Sequence, residues 1–141
     1  MTWRTVRDSE GTHYVLEKES AESSLVRDPR TGKRLHLPNE ELEVVTGESP
    51  LVTAASAVSG DVRRLLTAVH DERMLGLLLE LERTGPMAAR TMLSSYDLCE
   101  SDLYGMVAEL QAAGMIRKAH VAGERGYATT DRASEALDAL L

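Results

Sequence analysis

The chain has 141 residues, 43% hydrophobic and 28% charged, a globular balance that excludes a disordered polymer and suits one domain with a small appendage. Its 23 Asp and Glu outnumber 16 Lys and Arg, giving a net charge of −7, and its single cysteine excludes an intramolecular disulfide or a multi-cysteine zinc site. No apolar run approaches the roughly eighteen residues of a membrane span, and Met1-Thr2-Trp3-Arg4 lacks the apolar stretch of a secretion signal, so a soluble cytoplasmic protein is expected. Aromatics are 4% with no Phe, which leaves Leu, Val, Ala and Met to fill the core. Lysine occurs only as Lys18, Lys33 and Lys118. An acidic, Arg-rich, Lys-poor chain fits a salt-rich cytosol, where acidic surfaces stay hydrated and their repulsion is screened. A GC-rich genome produces the same arginine bias.

The first forty-odd residues read as short strands at 3–7, 13–17, 24–27 and 33–37. They are separated by the turn signals Asp8-Ser9-Glu10-Gly11 and Asp28-Pro29-Arg30-Thr31-Gly32. Asn39 is placed to cap a short turn, and the lone Trp3 to anchor the packing. Residues 1–46 are thus expected to be a small antiparallel meander, too small to bury much apolar surface alone. From Gly47 the apolar period lengthens to about 3.6. Ser49-Pro50 opens a short helix to 58, and Asp61 caps another carrying Val62, Leu65, Leu66 and Val69. Residues 47–70 are therefore read as linking helices and a dimer interface. Asp71 opens a helix to about 83, with Leu75, Leu78, Leu79 and Leu81 on one face, stopped by Thr84-Gly85-Pro86.

Residues 71–141 then follow a definite order. A short helix at 87–93 precedes the polar turn Ser94-Ser95-Tyr96-Asp97. A longer helix over 100–113 has an apolar stripe at 103, 106, 107 and 110 and stops at Gly114. Residues 115–121 read as a strand, 122–126 as a turn, 127–129 as a return strand, and Thr130-Asp131 opens a last helix. The segments Glu109-Leu110-Gln111-Ala112-Ala113-Gly114-Met115-Ile116 and Gly126-Tyr127-Ala128-Thr129-Thr130 carry the pattern most clearly. This half of the chain resembles the winged helix-turn-helix domain of small prokaryotic transcription regulators. The whole sequence resembles small haloarchaeal winged-helix proteins, mostly of unknown function. The resemblance implies an α+β fold, a homodimer and double-stranded promoter DNA as partner.

In that motif helix 100–113 enters the major groove, and the positions left outside its stripe are Glu100, Ser101, Tyr104, Gly105 and Ala108. The segment departs from the family pattern: it holds Asp97, Glu100, Asp102 and Glu109 and no Lys or Arg. Positive charge lies instead at Arg90 and around the wing, at Arg117, Lys118, His120 and Arg125. Strand alternation puts Lys118 and His120 on one face and Arg117 on the other. These cations either contact phosphate or are solvated charges guarding an edge hairpin. Arg63, Arg64 and Arg73 join them if their helix faces the same side. Four acids near phosphate require cations to enter the interface, so affinity is expected to stay flat or rise with salt.

His13, His36, His70 and His120 lack metal-ligand spacing, and Cys99, at the start of helix 100–113, reads as a small, partly buried residue. No phosphate loop, nucleophile elbow or paired-carboxylate signature appears, so no enzyme, cofactor or metal is expected. The leading expectation is a DNA-binding regulator. Its rival is a winged-helix interaction module whose acidic recognition face docks a protein.

Overall fold

Alternation of apolar and polar residues organises the first part of the chain. A computed structural model, which describes residues 2–141, forms β1 at Arg4–Arg7, β2 at His13–Glu19, β3 at Ser23–Arg27, β4 at Arg34–Pro38 and β5 at Glu43–Val44. The strands pair antiparallel in the order β4-β3-β2-β1-β5. With a side-chain period of two, Val6, Leu16 and Val26 share one face and cluster with Tyr14, Leu35, Leu37 and Leu42. Two expectations are corrected here. A 3-10 turn does form at Asn39–Glu41, but the Asn39 side chain does not cap it. Its amide donates to the Ser20 carbonyl at 2.6 Å and its oxygen accepts from the Ser24 hydroxyl, tying the end of β4 to the β2–β3 turn. Trp3 is 45% exposed rather than a packing anchor, with the Arg27 guanidinium 5.1 Å from its ring centre.

Helix α1, Pro50–Ala55, lies against β1 and β2. Ser49 caps it by accepting from the Leu51 amide at 3.1 Å, and Pro50 occupies the first turn, where no amide donor is required. Thr53 turns inward and is 1% exposed. Its one hydroxyl hydrogen goes to the Glu48 carboxylate, so the Thr5 hydroxyl must donate to Thr53. The His13 ring nitrogen lies 3.1 Å from the same carboxylate. The Thr53 hydrogen bond, then that of His13, hold the Glu48 carboxyl below the ordinary 4.5, against the opposing pull of burial. A depressed carboxyl stabilises the fold fully above its unfolded value and loses that contribution as pH falls through the folded one. Acid unfolding of Glu48→Gln should therefore decline less steeply than that of the parent below pH 4.5. Parallel curves would remove this network from the acid sensitivity.

The second part of the chain contains α2 Gly60–Ala68, α3 Glu72–Thr84, β6 Met87–Ala88, α4 Ala89–Ser95, α5 Glu100–Ala112, β7 Ile116–Val121, β8 Glu124–Thr129 and α6 Asp131–Leu140. The α+β class is as expected. Asp71 caps α3, accepting from the Met74 amide at 2.9 Å, and Gly85 ends it with φ 87°. The buried stripe of α3 is Met74, Leu77, Leu78 and Leu81, with Leu75 and Leu79 half-buried at its margins. These side chains pack with Leu65, Met92, Leu103, Leu110, Met115 and Leu137 in one core. Each fully buried Leu or Met contributes about 1.5–3 kcal/mol.

The expected linker 47–70 is not one piece. The chain divides into two compact units, the first ending at Ser59 and the second spanning Gly60–Leu141. α1 belongs to the sheet, whereas α2 packs on α6. Asp61 lies within the first turn of α2 rather than capping it, and its carboxylate meets Arg132 of α6 at 3.2 Å.

Residues 87–93 do not form one helix either. Met87 and Ala88 pair with Tyr127 and Gly126 as an edge strand, a pairing that the missing side chain of Gly126 makes possible. The β7–β8 hairpin is also tighter than expected. Ala122 and Gly123 take φ 52° and 79°, the paired positive values of a two-residue hairpin turn. Glu124 and Arg125 are thereby drawn out of the turn and into the strand. Among the described residues no helix is long and apolar enough to cross a membrane.

Candidate functional site

Helix α5 sorts its side chains by direction, each residue turning about 100° around the axis. Leu103, Val107 and Leu110 are buried. Glu100, Tyr104 and Ala108 follow one another along one flank, with Ser101 beyond them, and all four are exposed. Asp102 and Glu109 lie on the other flank, about 160° and 140° from Tyr104. Both have partners there: Asp102 meets Arg73 of α3 at 3.4 Å, and Glu109 meets His70 at 3.1 Å. The Tyr104 flank therefore carries one carboxylate of helix α5, Glu100, and not three.

That flank forms one wall of a cleft of about 300 Å³. Ala89, Arg90 and Leu93 of α4 form the second wall, and Glu124 and Arg125 of β8 the third. The cleft thus gathers four of the expected site residues, Arg90, Glu100, Tyr104 and Arg125. Arg90 reaches Glu124 at 3.5 Å with its side chain 87% exposed, a pair too solvated to hold it firmly. Sequence reasoning missed Glu124, because it assigned that residue to a turn. The two-residue turn signal Ala122-Gly123 would have placed it in the strand.

The other expected residues lie beside the cleft rather than in it. His120 stands directly across from Arg125 in the β7–β8 ladder, and Lys118 lies two residues along on the same face. Arg117 points to the opposite face, and all four are exposed. Arg117, Lys118 and Arg125 make no ion pair among the described residues. Ser101 lies in the first turn of α5, 3.3 Å from the Cys99 thiol. Cys99 itself is exposed, not partly buried. Arg73 is turned to the Asp102 flank and does not join the wing cations. Arg63 and Arg64 lie on α2 and do not line the cleft.

The arrangement is an electropositive hairpin edge beside a mixed-charge cleft with an aromatic hydroxyl at its wall. Such a surface can make sequence-independent contacts with an anionic backbone through Arg117, Lys118 and Arg125, donate or accept hydrogen bonds through Ser101 and Tyr104, and donate them through Arg90. Among the described residues no group of three His, Cys, Asp or Glu is disposed to hold a metal ion. A family described as a family of unknown function, DUF7346, matches residues 3–141 of the chain. No curated protein matches it, and no solved structure does.

Proposed function

The chain belongs to the DUF7346 family, and from that starting point we propose that it is a DNA-binding transcription regulator of a salt-rich cytoplasm. The Gly60–Leu141 unit is a winged helix-turn-helix domain: α3, α4 and α5 make the three-helix core, α5 is the recognition helix, and β7–β8 is the wing. The observation that carries this reading is the cationic edge of the wing. Arg117, Lys118 and Arg125 extend from it without ion-pair partners among the described residues, and Arg125 also lines the cleft that holds Tyr104. The pairing of Asp102 and Glu109 on the far flank supports the same reading, since it removes two carboxylates from the path of phosphate. The protein acts as a homodimer reading two half-sites. Exposed Leu66 on α2 and Leu140 and Leu141 at the end of the chain, 58%, 50% and 77% accessible, supply apolar surface for a second copy.

The rival reading, a protein-interaction module, is favoured by a different observation: α5 carries no Lys or Arg, and Glu100 and Glu124 both line the cleft. Immunoprecipitation of the tagged protein across its host genome separates the two. Sharp promoter peaks are expected, and a profile without them would favour the module. On a promoter fragment so identified, Lys118→Ala and Arg125→Ala should weaken binding to all sequences about equally, as phosphate contacts do. Ser101→Ala and Tyr104→Ala should instead change sequence preference. Binding unchanged in all four variants would show that the assigned face is wrong.

A further inference from the structure

The flank of α5 opposite Tyr104 borders a second hollow, of about 280 Å³. Helix α3 supplies Arg73, Gly76, Leu77 and Glu80, the spacing of a single helical stripe, and Leu98 and Met106 complete the apolar wall. Gly76 is the unexpected member. A glycine inside a helix is unfavourable relative to alanine, and a side chain here would meet nothing within 4 Å. Neither a left-handed backbone nor a crowded neighbour calls for glycine at this point. Its effect is to keep the floor of the hollow open.

The polar groups at the rim have different freedom. The Tyr96 hydroxyl donates to the Glu80 carboxylate at 3.0 Å, so that acid already has a partner. Among the described residues Arg73 is the one cation lining the hollow. Its contact with Asp102 spans 3.4 Å, with the two side chains 58% and 53% exposed, a weak pair that another carboxylate can replace.

We propose that this hollow binds a small apolar carboxylic acid. The carboxylate pairs with Arg73, and the hydrocarbon body lies over Gly76 between Leu77, Leu98 and Met106. Met106 and Tyr104 belong to the same helix, so a ligand seated between α3 and α5 displaces α5 at the cleft as well. This last step, and only this step, rests on the DNA-binding reading.

Phenylacetate, with uncharged phenylacetamide as its control, is the probe, and the methyl resonance of Met106 in the full chain is the readout. A saturable shift is expected with phenylacetate at millimolar concentration, with the amide about fivefold weaker, the reach of an exposed ion pair. Arg73→Gln should bring the two ligands to the same affinity. Gly76→Leu should fill the floor and exclude both. Should Gly76→Leu fail to fold, the exposed Arg73→Gln still decides. No saturable shift, equal binding of acid and amide by the parent, or an unchanged preference in Arg73→Gln would each overturn the proposal. Ligand binding without any change in DNA affinity would keep the site and overturn its coupling to α5. Absence of DNA binding with the Met106 shift intact would count against the regulator reading alone.

Discussion

Gly126→Ala is expected to destabilise the second unit by about 3 kcal/mol, the upper range for forcing atoms into a packed site. The added carbon would collide with the Met87 carbonyl oxygen and stand 2.8 Å from its carbon and 2.9 Å from the α-carbon of Ala88. All three are backbone atoms, so no side-chain rotation relieves the clash. Strand β6 must move off β8, opening the pairs Met87 with Tyr127 and Ala88 with Gly126. Tyr127 is buried in the core and Met87 packs against it, so the damage reaches beyond one edge strand. For a unit of this size the loss corresponds to a fall of about 15 °C in the thermal midpoint, read by circular dichroism. Gly105→Ala is the control. Gly105 lies inside α5 with nothing within 4 Å of an added carbon, and the same substitution there should raise stability by up to about 1 kcal/mol. A Gly126→Ala protein melting within a few degrees of the parent would mean that β6 does not approach β8 this closely.

Local chemistry made most elements legible. Ser49-Pro50, Asp71 and Thr130 each sit where a capping side chain or first-turn proline is required, and each does open a helix. Gly85 and Gly114 close α3 and α5 with positive φ. What escaped was tertiary. The two-residue strands β5 and β6 have no period to detect, and exist only because β1 and β8 offer them an edge. The cleft was half legible. Arg90, Glu100, Tyr104 and Arg125 follow from helix periodicity and the wing pattern, but Glu124 depended on recognising a two-residue turn. The directions of Asp102 and Glu109 were within reach, since the 100° step of a helix already separates them from Tyr104. Their partners Arg73 and His70 were not, because both come from the other end of a long helix–turn–helix path.

Those directions change the expected response to salt. Counting acids by position along the chain sets Asp97, Glu100, Asp102 and Glu109 against phosphate and makes affinity flat or rising with KCl. Counting them by direction gives another result. Asp102 and Glu109 face Arg73 and His70, and Arg90 offsets Glu124 within the cleft. The hairpin cations Arg117, Lys118 and Arg125 then outweigh Asp97 and Glu100, the two of the four acids with no ion pair among the described residues. Three phosphate contacts, at about 0.9 counterion released for each, give a slope of log affinity against log salt of about −2.7. DNA affinity should therefore fall roughly 500-fold for a tenfold rise in KCl. The triple variant Arg117→Ala, Lys118→Ala, Arg125→Ala should bind weakly and lose the slope almost entirely. Because the chain carries a net charge of −7, self-repulsion loosens it in dilute salt, so folding must be followed by circular dichroism across the same range. A folded parent whose affinity holds or climbs with KCl would restore the cation-mediated interface. A parent and triple variant with equal slopes would take the wing out of DNA contact altogether.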